Sequence, residues 1–321
     1  MFMQTRTTLF TQRSALIWRT IAVIFAVTFV TGLTPVPAAA ASEGIREAEA
    51  SAAESAESCQ DASRWLEIDL GDLAPGNPTA ARYLAGSAAA RTWLDVAANC
   101  PSRFGEGVMK SAQLRHTSDI WAQKSGFATS PVNEAHENLN EIARLDVPDE
   151  ALTQMALAED RAGFEVGVLA ARNNPDATLA LSDAHKAVAE RLISLAGGDG
   201  RTGADDPRRK VYNVSALLAH PYAIEDPATK LTAPTLAVIE MICARADVEA
   251  LNDTTGKNGK AAPSSKPSTP GSPTTHPASP DNQSSVEDPT ATVKLATLIA
   301  SRAYFAMTLG YPATDAALFK Q

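Results

Sequence analysis

Strand-forming alternation is scarce in this chain of 321 residues, and no Asn-Gly pair sits between β-branched runs as a hairpin turn would. That excludes a sandwich or barrel of short strands. No Gly-x-Ser-x-Gly elbow, phosphate-binding glycine loop or dinucleotide-binding glycine pattern occurs, so the sequence carries none of the compact nucleophile or nucleotide signatures. Glu134-Ala135-His136-Glu137 stops short of a zinc-protease signature because position 140 is Asn140. His136 and Glu137 read as a helix surface. Four tryptophans are too few for a repeated binding platform, and the Trp65 and Trp93 segments read as two aromatic-anchored helices on a common core. Basic patches are lacking too. Net charge is −9, and Arg208-Arg209-Lys210 follows Asp205-Asp206 as a solvated loop would, which argues against nucleic acid as a partner.

Cysteine is also sparse, at three. Cys59 and Cys100 flank a candidate helical hairpin and are the preferred disulfide pair, the alternative being three buried thiols. Cys243 lies in the apolar run 236–243 and reads as a small core residue.

What is present begins with the first forty residues. Arg6, Arg13 and Arg19 precede the apolar run 21–27, and Ala38-Ala39-Ala40-Ala41 follows. A basic stretch, an apolar stretch and small residues in that order read as an export signal over 1–41, with cleavage after Ala41 and Ser42 as the new N-terminus. The apolar stretch from Ile21 to Leu33 is short of the roughly 20 residues that span a bilayer. An uncleaved anchor is the rival reading, and only then would the chain contact a membrane. No cysteine stands at the cleavage point, which argues against a lipid anchor. Residues 1–41 hold three arginines and no acid, so the exported remainder is more acidic than the whole. The expected location is secreted or associated with the cell envelope.

The rest predicts an all-α fold, with helices at 43–73, 79–98, 102–125, 133–144, 149–173, 176–196, 229–252 and 291–309. Residues 42–145 form an N-terminal helical region and 149–321 a four-helix bundle. The bundle is interrupted at 253–290 by a segment rich in Pro, Ser and Thr that has too few large apolar side chains to offset the entropy of ordering. Residues 198–228 read as irregular, with His220-Pro221-Tyr222 as a loop anchor whose Tyr222 packs onto the bundle.

Each of the last four long helices carries one ionisable residue in or beside its apolar stripe. Leu152, Met155, Ala156, Ala162, Val166 and Leu169 share a face at i, i+3, i+4 spacing, and Glu159 falls on it. His185 falls in the row of Leu181, Val188, Leu192 and Leu195. Glu240 interrupts the apolar run 236–244, and Arg302 is embedded in the run 295–305. A bundle turns such positions toward one interior, where a lone carboxylate is costly, so Glu159 and Glu240 need His185 and Arg302 as partners. The group is open to three readings: an ion-pair network that fixes helix register, a metal or ligand site, or positions that turn to solvent.

These residues carry a resemblance. Ala158-Glu159-Asp160-Arg161-Ala162, Ala184-His185-Lys186, Asp226-Pro227-Ala228, Glu240 and Gly310-Tyr311-Pro312 are similar to the ferritin-like domain of unknown function in exported proteins of high-GC Gram-positive bacteria. The likeness covers 149–252 and 291–321. It implies an antiparallel four-helix bundle and no known activity. Metal-binding members of the wider ferritin-like group place a Glu on two helices and Glu-x-x-His on two others. Here Ser182 stands three residues before His185, and the last helix has neither Glu nor His. No metal, cofactor or catalytic residue is therefore expected. The expected function is that of a non-enzymatic exported module that binds an envelope protein or a small ligand. A metal-handling protein using Glu159, His185 and Glu240 is the first alternative, and a cell-wall hydrolase the second.

Overall fold

The computed structural model describes residues 43–129, 139–197, 206–258 and 289–319. The expected export signal, residues 130–138 and most of the Pro/Ser/Thr-rich segment lie outside them. The chain divides into two units, Met1–Arg46 and Glu47–Gln321. Of the first, only the opening turn of helix α1 (Glu43–Gly71) is described.

The described residues are mostly helical. After α1 come α2 (Thr79–Asn99), α3 (Phe104–Lys124), α4 (Asp149–Ala171) and α5 (Leu179–Leu195). Local chemistry sets the ends. Asp149 and Glu150 place negative charge at the positive start of α4. Asn173 adopts φ 58°, a left-handed conformation that asparagine tolerates, just past the end of α4. Thr178 then caps α5, its hydroxyl accepting the Leu181 N–H at 3.0 Å.

Four differences from the sequence reading follow. The expected helix 133–144 is represented among the described residues only by a 3₁₀ turn at Leu139–Glu141. The stretch 198–228 is not wholly irregular, since it holds a short helix α6 (Ser215–Ala219) and strand β1 (Ala223–Glu225). β1 pairs antiparallel with β2 (Thr232–Pro234), with Ile224 opposite Ala233, so α7 (Thr235–Asn258) starts six residues later than expected. Three-residue strands are too short to show alternation in a sequence. Further on, α7 runs to Asn258 and α8 (Pro289–Thr308) starts at Pro289, so helix occupies both ends of the span 253–290. A last turn, α9, covers Asp315–Leu318.

Helix α4 packs on α5 and on α7, α7 on α8, and α8 on α3 and α2. One continuous core crosses the expected boundary near 145–149. Phe104, Val108 and Met109 of α3 share it with Leu152 and Met155 of α4, Leu192 of α5, Met241 of α7 and Leu298 of α8. Burying a side chain of this size fully stabilises by about 1.5–3 kcal/mol. A smaller cluster joins α1 to α2 through Ala62, Leu66, Trp93 and Val96, beside the disulfide between Cys59 and Cys100. The two tryptophans part company: Trp93 is buried, whereas Trp65 is 59% exposed. No helix among the described residues is long and apolar enough to cross a membrane.

One polar cluster holds the later elements in place. Asp226, at the end of β1, accepts from Arg245 Nη1 of α7 at 2.6 Å and from the Tyr311 hydroxyl. Arg245 Nη2 also donates to Tyr311 Oη at 2.7 Å. This cluster, not Tyr222, anchors the hairpin. Tyr222 is 67% exposed, and its backbone carbonyl rather than its ring makes the contact, accepting the Thr235 N–H at 3.1 Å.

Candidate functional site

The four ionisable residues of the late helices meet at one place. Glu159 of α4, His185 of α5, Glu240 of α7 and Arg302 of α8 are each fully buried. His185 Nδ1 lies 2.6 Å from Glu159 Oε2, and its Nε2 lies 2.9 Å from Glu240 Oε1. Arg302 donates to Glu159 through Nε at 3.0 Å and Nη2 at 2.8 Å, a two-pronged fork. Its Nη1 stands 3.9 Å from Glu240 Oε2, which closes the ring.

The geometry specifies the charges. Ionised carboxylates only accept, so an imidazole that bonds one at each nitrogen carries both protons. Burial would push the Glu159 carboxyl up, but Arg302 and His185 outweigh it and hold the pKa at about 2. Burial and the nearby Arg302 cation would lower the His185 value. Glu240 and Glu159 overcome both, and the imidazole titrates above its ordinary range. Burial also opposes the Arg302 charge, and Glu159 and Glu240 restore it. Two anions and two cations thus balance in a fully buried space. Such a ring is not a large source of stability, because desolvation consumes most of the attraction. A slip of one helix against the others would strand a charge.

The backbone around the ring is built for close approach. A Cβ at Gly163 would meet the Ser182 carbonyl at 2.9 Å and His185 Cβ at 3.1 Å, so only glycine lets α4 and α5 come this near. The Ser182 hydroxyl donates to the Gly163 carbonyl at 2.7 Å. The position that a Glu-x-x-His pattern would give to a ligand is here spent on a helix–helix hydrogen bond.

Sequence reasoning missed one member of this region. Asp247, on α7, is fully buried, and among the described residues neither of its carboxylate oxygens has a hydrogen-bond partner. Burial, and then the Glu159 charge, drive its pKa well above the ordinary value, which favours the neutral acid. The available signal was its spacing: Asp247 lies seven residues after Glu240, on the same helical face. Cys243 lies between them, buried and unpaired. Burial, and then the Glu159 charge, push its thiol well up, which makes it a poor nucleophile.

Glu159, His185 and Cys243 offer donor atoms within 4.8 Å of one another, a donor set of the type zinc takes. The arrangement nonetheless does not fit a resident metal ion. Both imidazole nitrogens face carboxylates, and the Arg302 fork covers both oxygens of Glu159. A metal ion would have to expel two protons and sit beside a guanidinium.

A second feature lies on the outer side of the α4–α7 pair. A cleft of about 520 Å³ runs along the two helices, with Arg209 and Tyr212 of the following segment at one end. Ala158, Ala162, Ile239 and Cys243 are among its apolar lining, so its floor reaches the layer that covers the charged ring. No family model, curated protein or solved structure matches the chain.

Proposed function

We propose that this chain is an exported, non-enzymatic helical protein with a ferritin-like four-helix bundle formed by α4, α5, α7 and α8, and that it acts at the cell envelope by binding a partner or small ligand. One observation carries the reading. The four groups of the charged ring, Glu159, His185, Glu240 and Arg302, are consumed by one another and have no exposure to solvent. Acid–base catalysis needs a group within reach of a substrate proton, and a di-metal centre needs carboxylates with free lone pairs. Neither condition is met by a closed, neutral ring. The leader-like start of the sequence supports export.

The test is bound metal. The full chain is expressed in a host that exports it, with iron, zinc and manganese supplied, and metal per purified chain is measured by elemental mass spectrometry. The proposal expects substoichiometric metal that does not change in Glu159→Ala or His185→Ala. A stoichiometric metal lost in those variants overturns it and makes this a metalloprotein. Sequencing the N-terminus of the same sample tests export, with Ser42 as the expected first residue.

A further inference from the structure

The cleft between α4 and α7 has a polarity of its own. Its lining from α4 runs from Glu150 to Glu165, fifteen residues along one face, or about 22 Å of helix. At one end stand two carboxylates, Glu150 from α4 and Glu249 from α7, both exposed. At the other stand two guanidinium groups, Arg161 from α4 and Arg209 from the segment after α5, also exposed. Between them the lining is mostly apolar, with Leu157, Ile242 and several alanines, interrupted by the Gln154 amide.

The cationic end is held in position. Arg161 Nε donates to Glu165 at 2.9 Å, a buried carboxylate one turn further on, and among the described residues no hydrogen bond uses its two Nη atoms. The backbone N–H of Arg209 donates to the Tyr212 hydroxyl at 3.2 Å, and that hydroxyl donates to Asp160 at 2.7 Å. The segment that carries Arg209 is thereby tied to α4.

A ligand complementary to this cleft is linear, apolar along its body, anionic at one end and cationic at the other. Arg161 follows Glu150 by eleven residues, so the charged ends are about 16 Å apart along the helix. An extended chain of five residues covers about the same distance. We propose that the α4–α7 cleft binds a short apolar peptide with free termini, its carboxylate at Arg161 and Arg209 and its ammonium at Glu150 and Glu249. This deepens the binding function proposed above and rests on it. It assigns no role to the buried ring.

The test is calorimetric titration of the full chain with an alternating alanine–valine pentapeptide in four forms: free, N-acetylated, C-amidated and blocked at both ends. The free peptide is expected to bind most tightly, and each block to weaken it about tenfold. Arg209→Ala should reduce the effect of amidation and leave that of acetylation. Glu249→Gln should do the reverse. Both side chains are exposed, so the variants are expected to fold, and their melting curves verify this. Equal binding of the free and doubly blocked peptides overturns the proposal. So does the absence of peptide binding, with or without uptake of dodecanoate or dodecylammonium, either of which would make the cleft an amphiphile site. The metal assay reads the buried ring alone, so a peptide that fails here leaves the non-metal reading standing, and a bound metal there leaves this titration to be judged on its own.

Discussion

Ser182 donates its hydroxyl to the Gly163 carbonyl at 2.7 Å, and this bond sets the distance at which α5 presents His185 to Glu159 on α4. Gly163 lies one turn beyond Glu159, and Ser182 lies one turn before His185. The neutral contact and the charged one are therefore neighbours on the same helix pair. Gly163→Ala places a methyl against the Ser182 carbonyl and His185 Cβ. It should destabilise the protein by about 1–3 kcal/mol despite the higher helix propensity of alanine. Urea unfolding of the two proteins measures this, and a neutral or stabilising change would show that the helices separate without cost.

Arg302 is the cation on which both carboxylates of the ring depend. Arg302→Ala leaves Glu159 and Glu240 with only His185 between them and should cost about 3–5 kcal/mol. The combined replacement Glu159→Met, His185→Phe, Glu240→Met and Arg302→Leu removes every charge at once. It should recover most of that loss, because a neutral core has no stranded ion. A change of only a few tenths of a kcal/mol in Arg302→Ala would contradict the buried network.

Much of this arrangement is legible in the sequence, for a simple reason. A single ionisable residue in an apolar stripe with helical spacing stands out, and Glu159, His185, Glu240 and Arg302 all do so. Their pairing is not legible, since it depends on how four helices from distant parts of the chain are rotated. Asp247 is hidden for another reason. It sits in the run Arg245-Ala246-Asp247-Val248-Glu249, whose mixed charges read as a solvated face. The structure sorts that run three ways: Arg245 goes to Asp226 and Tyr311, Glu249 to the cleft rim and Asp247 to the core. The hairpin 223–234 was equally invisible, because its strands are short and its anchor, Tyr311, lies far off in sequence. Trp65 misleads in the opposite sense. The α1 stripe that packs is Cys59, Ala62 and Leu66, and the tryptophan lies outside it.

The disulfide closes a loop with a sequence separation of 41 between Cys59 and Cys100, and it ties α1 to the end of α2. Breaking it by Cys59→Ala with Cys100→Ala should cost about 4 kcal/mol in the chain-entropy model. The loss should appear first as faster proteolysis within α1, whose small cluster with α2 has few other large side chains. Unchanged stability and unchanged cleavage would mean that packing alone secures α1.

Stability should depend on pH with opposite signs at the two ends of the range. Glu159 has a depressed pKa, so its contribution is present above the unfolded carboxylate value near 4.3 and is lost as pH falls toward about 2. His185 has a raised pKa, so its contribution is full below about 6.5 and is lost as pH rises through the folded value. Asp247 also has a raised pKa, but it gains no partner. As pH rises above the unfolded value near 3.9, keeping it protonated in the fold weakens stability. Asp247→Asn should therefore raise the melting temperature at pH 7 and have little effect at pH 3.5. Equal shifts at the two pH values would show that the acid does not titrate abnormally.

The central claim is that the buried ring is a closed ion network with His185 as its doubly protonated centre. Nitrogen NMR of the imidazole side chains reads this directly. The chain has five histidines, and His185→Gln identifies the signal. At pH 8 an ordinary histidine is mostly neutral, with one bare ring nitrogen. The network predicts two protonated nitrogens on His185 at that pH, unchanged on addition of zinc. A bare nitrogen at pH 8, or the loss of a ring proton as one zinc ion binds per chain, would contradict it.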